Sequence, residues 1–315
     1  MERGGGVWVS DGTLPGDRRD VVGPRFRVRR GSGGVAGTHP VPPWAAGAER
    51  GRRYSQPEHL RLALEELGPT FVKLGQILST RSDLLPLAYT AELAKLQDAA
   101  VPVPTDVIMQ TLAEELGGAG AFDRFDGRPL ASASIGQVHT ARIGDDEVVV
   151  KVRRPAAVET VSRDLEILQS LAATASRHSE LARGYDLVGI VQDFSRTLRA
   201  ELDYLTEAAN AERFARSFAG DPQVHIPVVY RTTTTPRVLT LERVHGMKID
   251  DLQALDAAGI DRRELAVRAT GVLCQMVFED GLFHADPHPG NFFVAPDGSL
   301  AVIDFGMVGE LTEPS

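Results

Sequence analysis

The segment LFHADPHPGNFFVAPDGSLAVIDFGM, residues 282–307, constrains this chain more than any other. Its stretch VAPDGSLAVIDF carries apolar runs on either side of a DG pair and predicts a hairpin with a tight turn. The same segment holds Asp286, Asn291 and Asp304, with His284 and His288 beside them. Paired carboxylates near a buried strand are expensive unless they bind a cation or do chemistry.

Charge narrows the choice. The net charge of −9 over 315 residues argues against nonspecific nucleic-acid binding, which needs a basic surface. That charge is uneven: residues 1–53 hold about ten arginines and about five acids, so the remainder is more acidic. The single cysteine, Cys274, has no intrachain disulfide partner, which fits a reducing cytoplasm. Lying in the run VLCQMVF, it is expected to be a buried packing thiol. No stretch approaches the roughly 18 apolar residues of a membrane span, and the N-terminus lacks a signal peptide's apolar core. A soluble, cytoplasmic chain is expected, with peripheral membrane contact left open.

Along the chain, residues 1–53 are rich in Gly, Arg and Pro without periodicity and read as a disordered tail. From Pro57, Leu60, Leu64, Leu67, Phe71, Leu74 and Leu78 recur at 4-3-4-3-4 spacing, which predicts one amphipathic helix. Lys73, Gln76 and Thr80 fall on its opposite face, on pattern alone a solvated one. Further helices are expected at 88–97 and 106–116, separated by the breaker VPVP. The texture then turns β-like, with ASASIGQVHTARI and EVVVKVRR joined by a GDD turn. Helices at 158–176 and 187–218 follow, then strands in HIPVVYRT and RVLTLERV, a helix at 262–279, and the hairpin. This order predicts an α+β, two-lobed plan. The expected divisions are the tail, a helical extension at 54–117, a small lobe with an inserted helix pair at 118–244, and a partial second lobe at 245–315.

Spacing then links the chemistry. Ala131-Ser132-Ala133-Ser134-Ile135-Gly136-Gln137-Val138 has the register G-x-G-x-x-G-x-V of a kinase phosphate-covering loop, with alanine in place of the first two glycines. VVVK ends at Lys151, where a kinase carries its V-A-I-K lysine. His284-Ala285-Asp286 stands in the place of H-R-D, Asn291 follows Asp286 by five positions, and Asp304-Phe305-Gly306 is a D-F-G. Four weak signals in the right order make a strong one. Transfer from ATP needs its polyphosphate charge neutralised by a lysine and Mg²⁺. Asp304 and Asn291 supply the oxygen ligands Mg²⁺ prefers, and Asp286 is left to orient or deprotonate an attacking hydroxyl or water. Over 187–218, Phe194, Leu198, Leu202, Leu205 and Ala209 share an apolar face. Asp203, Glu207 and Asn210 lie opposite, with Glu201 near the edge. Glu207 is the expected ion-pair partner of Lys151. RVLTLERV is expected to lead into a hinge whose backbone near 241–244, including Glu242 and Val244, meets adenine. His284 is expected to orient its loop. His288 has no Cys or second His at ligand spacing and is not read as a zinc ligand.

Together FVKLGQ, ASASIGQV, ELDYLTEAAN, HADPHPGN and DFG resemble the signatures of the UbiB/AarF group of atypical, protein-kinase-like proteins, from about Glu58 to the end. The resemblance implies a two-lobed protein-kinase-like fold, with ATP and Mg²⁺ as cofactors. It also implies that the K-x-G-Q extension lies over the active site, so that Lys73 and Gln76 face the nucleotide pocket and the Glu201/Asp203 pair. Poor access for protein substrates follows, and ATP hydrolysis or action on a small lipid-like molecule. The group is linked to isoprenoid quinone biosynthesis at membranes, which suggests a quinone precursor or lipid partner. A nucleotide-binding regulator or pseudokinase scaffold is the alternative. A phosphotransferase of the aminoglycoside or choline type is disfavoured by KLGQ and the alanine-rich loop. Alanines there restrict the close backbone approach and positive φ that glycine allows, so altered nucleotide geometry and slow turnover are expected. The chain ends nine residues past Gly306, so the C-terminal lobe is expected to be truncated and the activity of this polypeptide is doubtful.

Overall fold

In the structure, a computed structural model, residues 54–96, 100–178 and 186–311 are described. The tail expected at 1–53 lies outside them. The amphipathic stretch after Ser55 forms two helices where its spacing predicts one. Helix α1 (Gln56–Leu67) opens with a capping box, in which the Ser55 hydroxyl accepts from the Glu58 amide and Glu58 accepts from the Ser55 amide. It ends at Gly68, whose φ of 103° suits only glycine, and Pro69 has no amide with which to continue the ladder. Helix α2 (Pro69–Ser79) starts there, followed by α3 (Leu87–Leu93) and α4 (Thr105–Leu116). A Cβ on Gly75 would lie 2.3 Å from Leu96 and 2.9 Å from Leu64, so this glycine lets α2 nest against α1.

A four-stranded antiparallel sheet follows, in the order β1-β2-β3-β5: β1 (Arg124–Ser132), β2 (Gly136–Ile143), β3 (Asp146–Arg153) and β5 (Val238–Glu242). The sequence shows no pattern for β1, because Gly127 and Pro129 interrupt its alternation. The strand absorbs them with register shifts before and after Pro129, at the sheet edge where a missing amide is tolerated. The alanine-rich run, expected within one strand, is split instead. Ala131 and Ser132 end β1, 133–135 turn, and Gly136 begins β2. The β2–β3 connection is a two-residue turn in which Gly144 supplies the left-handed residue, at φ 60°.

Helix α5 (Ala157–His178) is succeeded by α6 (Leu187–Glu201) and α7 (Tyr204–Ser217), where periodicity predicts a single helix over 187–218. The break is made by Asp203. It is extended, at φ −113° and ψ 101°, and caps α7 by accepting from the Leu205 amide at 3.0 Å. The Arg153 guanidinium donates to the Leu202 carbonyl at the same break. The break rotates the buried face. Phe194, Leu198 and Leu202 are buried as expected, but beyond Asp203 both Leu205 and Ala209 are exposed, while Glu207, Ala208, Ala211 and Phe214 are buried.

The second sheet has the order β4-β9-β8-β6, from β4 (Val224–His225), β6 (Met247–Lys248), β8 (Phe292–Val294) and β9 (Leu300–Val302). The β8–β9 hairpin turns at Gly298, φ 83°, as the DG pair predicts. HIPVVYRT, expected as a full strand, is one only at β4. Pro227 interrupts it, and β4 joins β9 in the second sheet, leaving a lone bridge between Val229 and Leu241. Helices α8 (Leu252–Ala257) and α9 (Arg262–Phe278) pack beneath, and β7 (Leu282–His284) pairs with β10 (Val308–Glu310). Cys274 corrects an expectation. Helix α9 buries Leu265, Val272 and Met276, and the thiol lies off that face, exposed. Helix α7 belongs to two cores. Tyr204 and Ala208 pack with Leu239 and Leu241 of the first sheet, and Ala211 and Phe214 with Phe292 and Val302 of the second and with Phe305 just beyond it. No helix among the described residues is long and apolar enough to cross a membrane.

Candidate active site

Strand β3 explains the position of Lys151. Val148, Val150 and Val152 are fully buried on one face, so the side chain between them projects from the other, into a cleft of about 140 Å³. There its Nζ lies 2.5 Å from Glu207 Oε1 and 3.5 Å from Asp304 Oδ2. A second cation, Lys73 of α2, lies 3.1 Å from Glu201 Oε1 at the end of α6. Lys73, Ala133, Ser134, Gly136, Val138, Lys151, Glu201, Glu207, Asp286 and Asp304 all line this cleft.

Electrostatics separate the carboxylates. Burial works against the Lys151 charge, but Asp304 and Glu207 more than offset it and hold its pKa well above the ordinary lysine value. Burial pushes the Glu207 carboxyl up to about 7, against the pull of Lys151. Asp304 keeps half of its side-chain surface open, and the Lys151 ammonium beside it holds its carboxyl below the usual range.

Asp304 has φ 63°, the only positive φ outside glycine among the described residues. Such strain persists only where neighbours over-determine it. Here Phe305 is the anchor, 1% exposed, with its ring centroid 4.9 Å from that of Phe214 and 5.8 Å from that of His284. His284 ties the two halves of the site together. The Asp286 amide donates to its Nδ1 at 3.2 Å, which leaves the proton on Nε2 to donate to the Ile303 carbonyl at 3.2 Å. His288 accepts from the Gly290 amide through Nδ1.

Other expected site residues sit elsewhere. Gln76 does not face the cleft. Its carboxamide nitrogen donates to the Leu96 carbonyl at 3.3 Å and secures the chain after α3. Asp203 caps α7 and lies off the cleft lining to which Glu201 belongs. Ala131 is exposed and paired with Val138, and Ser132 accepts from Arg154 and donates to Gln137, both outside the lining. Glu242 accepts from the Val228 amide and His225, and with Val244 it lies where the chain leaves the first sheet for β6 of the second. The cleft lining reaches neither. Asn291 is also off the lining. Its amide nitrogen donates to the Asp286 carbonyl at 3.0 Å, so the group left for a cation is the amide oxygen.

Tyr204, Ile135 and Met307 line the cleft without having been anticipated. A Cβ on Gly136 would lie 2.1 Å from the Tyr204 hydroxyl, so it is this tyrosine that excludes a side chain at the last glycine of the loop. Burial pushes its hydroxyl pKa upward. A second, mostly apolar cavity of about 410 Å³ adjoins the cleft. It shares Lys73, Ser134 and Ile135 with it and is otherwise walled by residues such as Pro69, Val161 and Leu198.

Comparison with known proteins identifies the family. The family model described as the ABC1 atypical kinase-like domain matches residues 95–315. A probable protein kinase UbiB of Azotobacter vinelandii is 45% identical over 270 residues, covering 83% of this chain and 50% of that protein. The protein of the same name from Pseudomonas aeruginosa is 42% identical over 278 residues, covering 86% and 52%. An uncharacterized protein of Synechocystis is 44% identical over 266 residues, covering 83% and 45%. The chain thus spans about half the length of the curated relatives it matches. Among solved structures, that of Rv3197 in complex with erythromycin, from Mycobacterium tuberculosis, has a TM-score of 0.56 at 33% identity, covering 79% of this chain and 63% of that one. With the lysine, its helix glutamate and the D-F-G carboxylate drawn together, and with these relatives, the chain belongs to the ABC1 atypical kinase-like family.

Proposed function

We propose that this chain is an ATP-dependent phosphotransferase or ATPase of the atypical kinase type, acting in isoprenoid quinone or related lipid metabolism. The observation that carries the reading is Lys151 held between Glu207 and Asp304, with Asp286 on the same cleft wall. The donor set fits a Mg²⁺–polyphosphate group. A half-open carboxylate, a free amide oxygen and an adjacent ammonium suit a hard cation that fills its remaining positions with phosphate and water. Among the described residues no group of three or more His, Cys, Asp or Glu could hold a metal alone, which agrees with a cation that arrives with its nucleotide. Bound Mg-ATP would supply the transferable phosphoryl group.

The chain's own residues would do the rest. Lys151 faces the phosphates as a fixed positive charge, and Glu207 keeps its ammonium from turning away. Asp304 and Asn291 would hold the cation on the protein side. Asp286, its backbone fixed by His284 and Asn291, accepts a hydrogen bond from the attacking hydroxyl or water and takes its proton. Lys73 and Glu201 close one side of the cleft, which disfavours a protein acceptor, and the adjoining apolar cavity favours a lipid-like one. Such an acceptor would be met at a membrane surface.

Thermal unfolding with and without Mg-ATP tests the reading. A site that binds only the folded state raises its stability by about 2.7 kcal/mol at a hundredfold excess over the dissociation constant. A Mg²⁺-dependent rise abolished in Asp304→Asn is the expected result, followed by ATP hydrolysis in the presence of lipid vesicles. A cooperative transition indifferent to nucleotide would sink the reading. A nucleotide-dependent rise without turnover would make the chain a nucleotide-binding regulator instead.

A further inference from the structure

Arg154 stands one residue past β3, and the chemistry of the cleft makes no use of it. Its Nε donates to the Ala133 carbonyl at 2.9 Å, and its Nη2 to the Ser132 hydroxyl at 2.8 Å and the Val101 carbonyl at 2.9 Å. Its backbone amide donates to the Ile135 carbonyl at 2.8 Å. The same two segments are tied again beside it. The Ala100 amide donates to the Ser132 carbonyl at 3.1 Å. Gln137, 1% exposed, accepts from the Val103 amide at 2.6 Å and donates to the Val103 carbonyl at 3.3 Å.

We infer that Arg154 is a positioning residue that binds the cleft-facing turn at 133–135 and the linker at 100–103 into one body, so that the helical extension sets how closely Ala133 and Ser134 approach a bound nucleotide. The geometry suits arginine alone. Three acceptors in three directions need the planar guanidinium fork, which a lysine ammonium cannot reproduce. Alanine in place of glycine has already removed much of the turn's backbone freedom, and the guanidinium takes up the Ala133 carbonyl that a free flap would turn to water. The coupling stands on geometry alone. Its consequence for nucleotide rests on the function proposed above.

Amide hydrogen exchange of the full chain without nucleotide tests the coupling directly, in Arg154→Lys and Arg154→Met. Exchange is expected to quicken by about tenfold in both the 100–103 and 132–136 segments, the scale of losing one charge-assisted hydrogen bond. The β3 amides of Val150 and Val152 serve as an unchanged reference. Should Arg154→Met fail to fold, Arg154→Lys, which keeps charge and stem, decides. Quickening of one segment alone, or of neither, overturns the inference. For the consequence, KM for Mg-ATP is expected to rise about tenfold, with kcat changed far less. A merely structural role would lower the thermal midpoint and leave KM where it was, which also overturns it. If the wild-type chain takes no nucleotide, the proposed function fails, while the exchange experiment still decides whether Arg154 couples the two segments.

Discussion

Glu207 keeps 7% of its side-chain surface and Asp304 50%, although both face the same ammonium. The difference makes Glu207 the group that titrates near neutrality. Burial raises its carboxyl from 4.5 to about 7, so the folded chain binds this proton more tightly than the unfolded one. Its contribution to stability is therefore fullest below about 4.5 and is lost as pH rises through about 7. Glu207→Gln lacks that loss. Measured without nucleotide, its thermal midpoint is expected to gain on the wild type as pH rises from about 5 to about 8. A gap that stays constant over this range would show that Glu207 does not titrate there. Gly136 poses a steric question at the same scale. Gly136→Ala drives a methyl against the Tyr204 hydroxyl and is expected to cost about 1–3 kcal/mol by urea unfolding. Most of that should return in the double variant with Tyr204→Phe, and no recovery would place the clash elsewhere.

At the scale of elements, the alanine-rich loop is two things rather than one. Ala131 belongs to β1 and is exposed, whereas Ala133 lies in the turn that lines the cleft. Ala133→Gly is expected to change Mg-nucleotide affinity severalfold by restoring backbone freedom at the turn, and Ala131→Gly to leave it nearly unchanged. Equilibrium binding of ATP and ADP to both variants checks this, and equal effects at the two positions would contradict it. The break between α6 and α7 is the other element-scale decision. By ending one helix at Glu201 and starting the next at Tyr204, the chain turns Glu201 toward Lys73 and Glu207 toward Lys151.

Over the whole molecule, α7 is the piece shared by both sheets. Its first turns pack on Leu239 and Leu241, and Phe214 packs on Phe305 beside the D-F-G carboxylate. The described residues belong to one compact unit, so calorimetric unfolding is expected to show a single transition. Phe214→Ala should move it as a whole, by about 3–5 kcal/mol. Two resolved transitions would show that the sheets melt separately and that α7 does not join them. The sequence by itself picked out Lys151, Glu207, Asp286 and Asp304, which the fold brings to one cleft, because short motifs and a helix face mark them. It also determined the β8–β9 hairpin and α9, whose turn residues and periodicity act locally. Tertiary structure alone decided what each neighbouring polar group does. Asp203 became a cap, Gln76 a tie to Leu96, and Arg154 a clamp, because each answers to a backbone donor or acceptor that no periodic pattern reveals. It also decided that Cys274 is exposed and Glu207 buried. Periodicity reports which residues share a face only while a helix continues, and one capped break reassigns every residue beyond it.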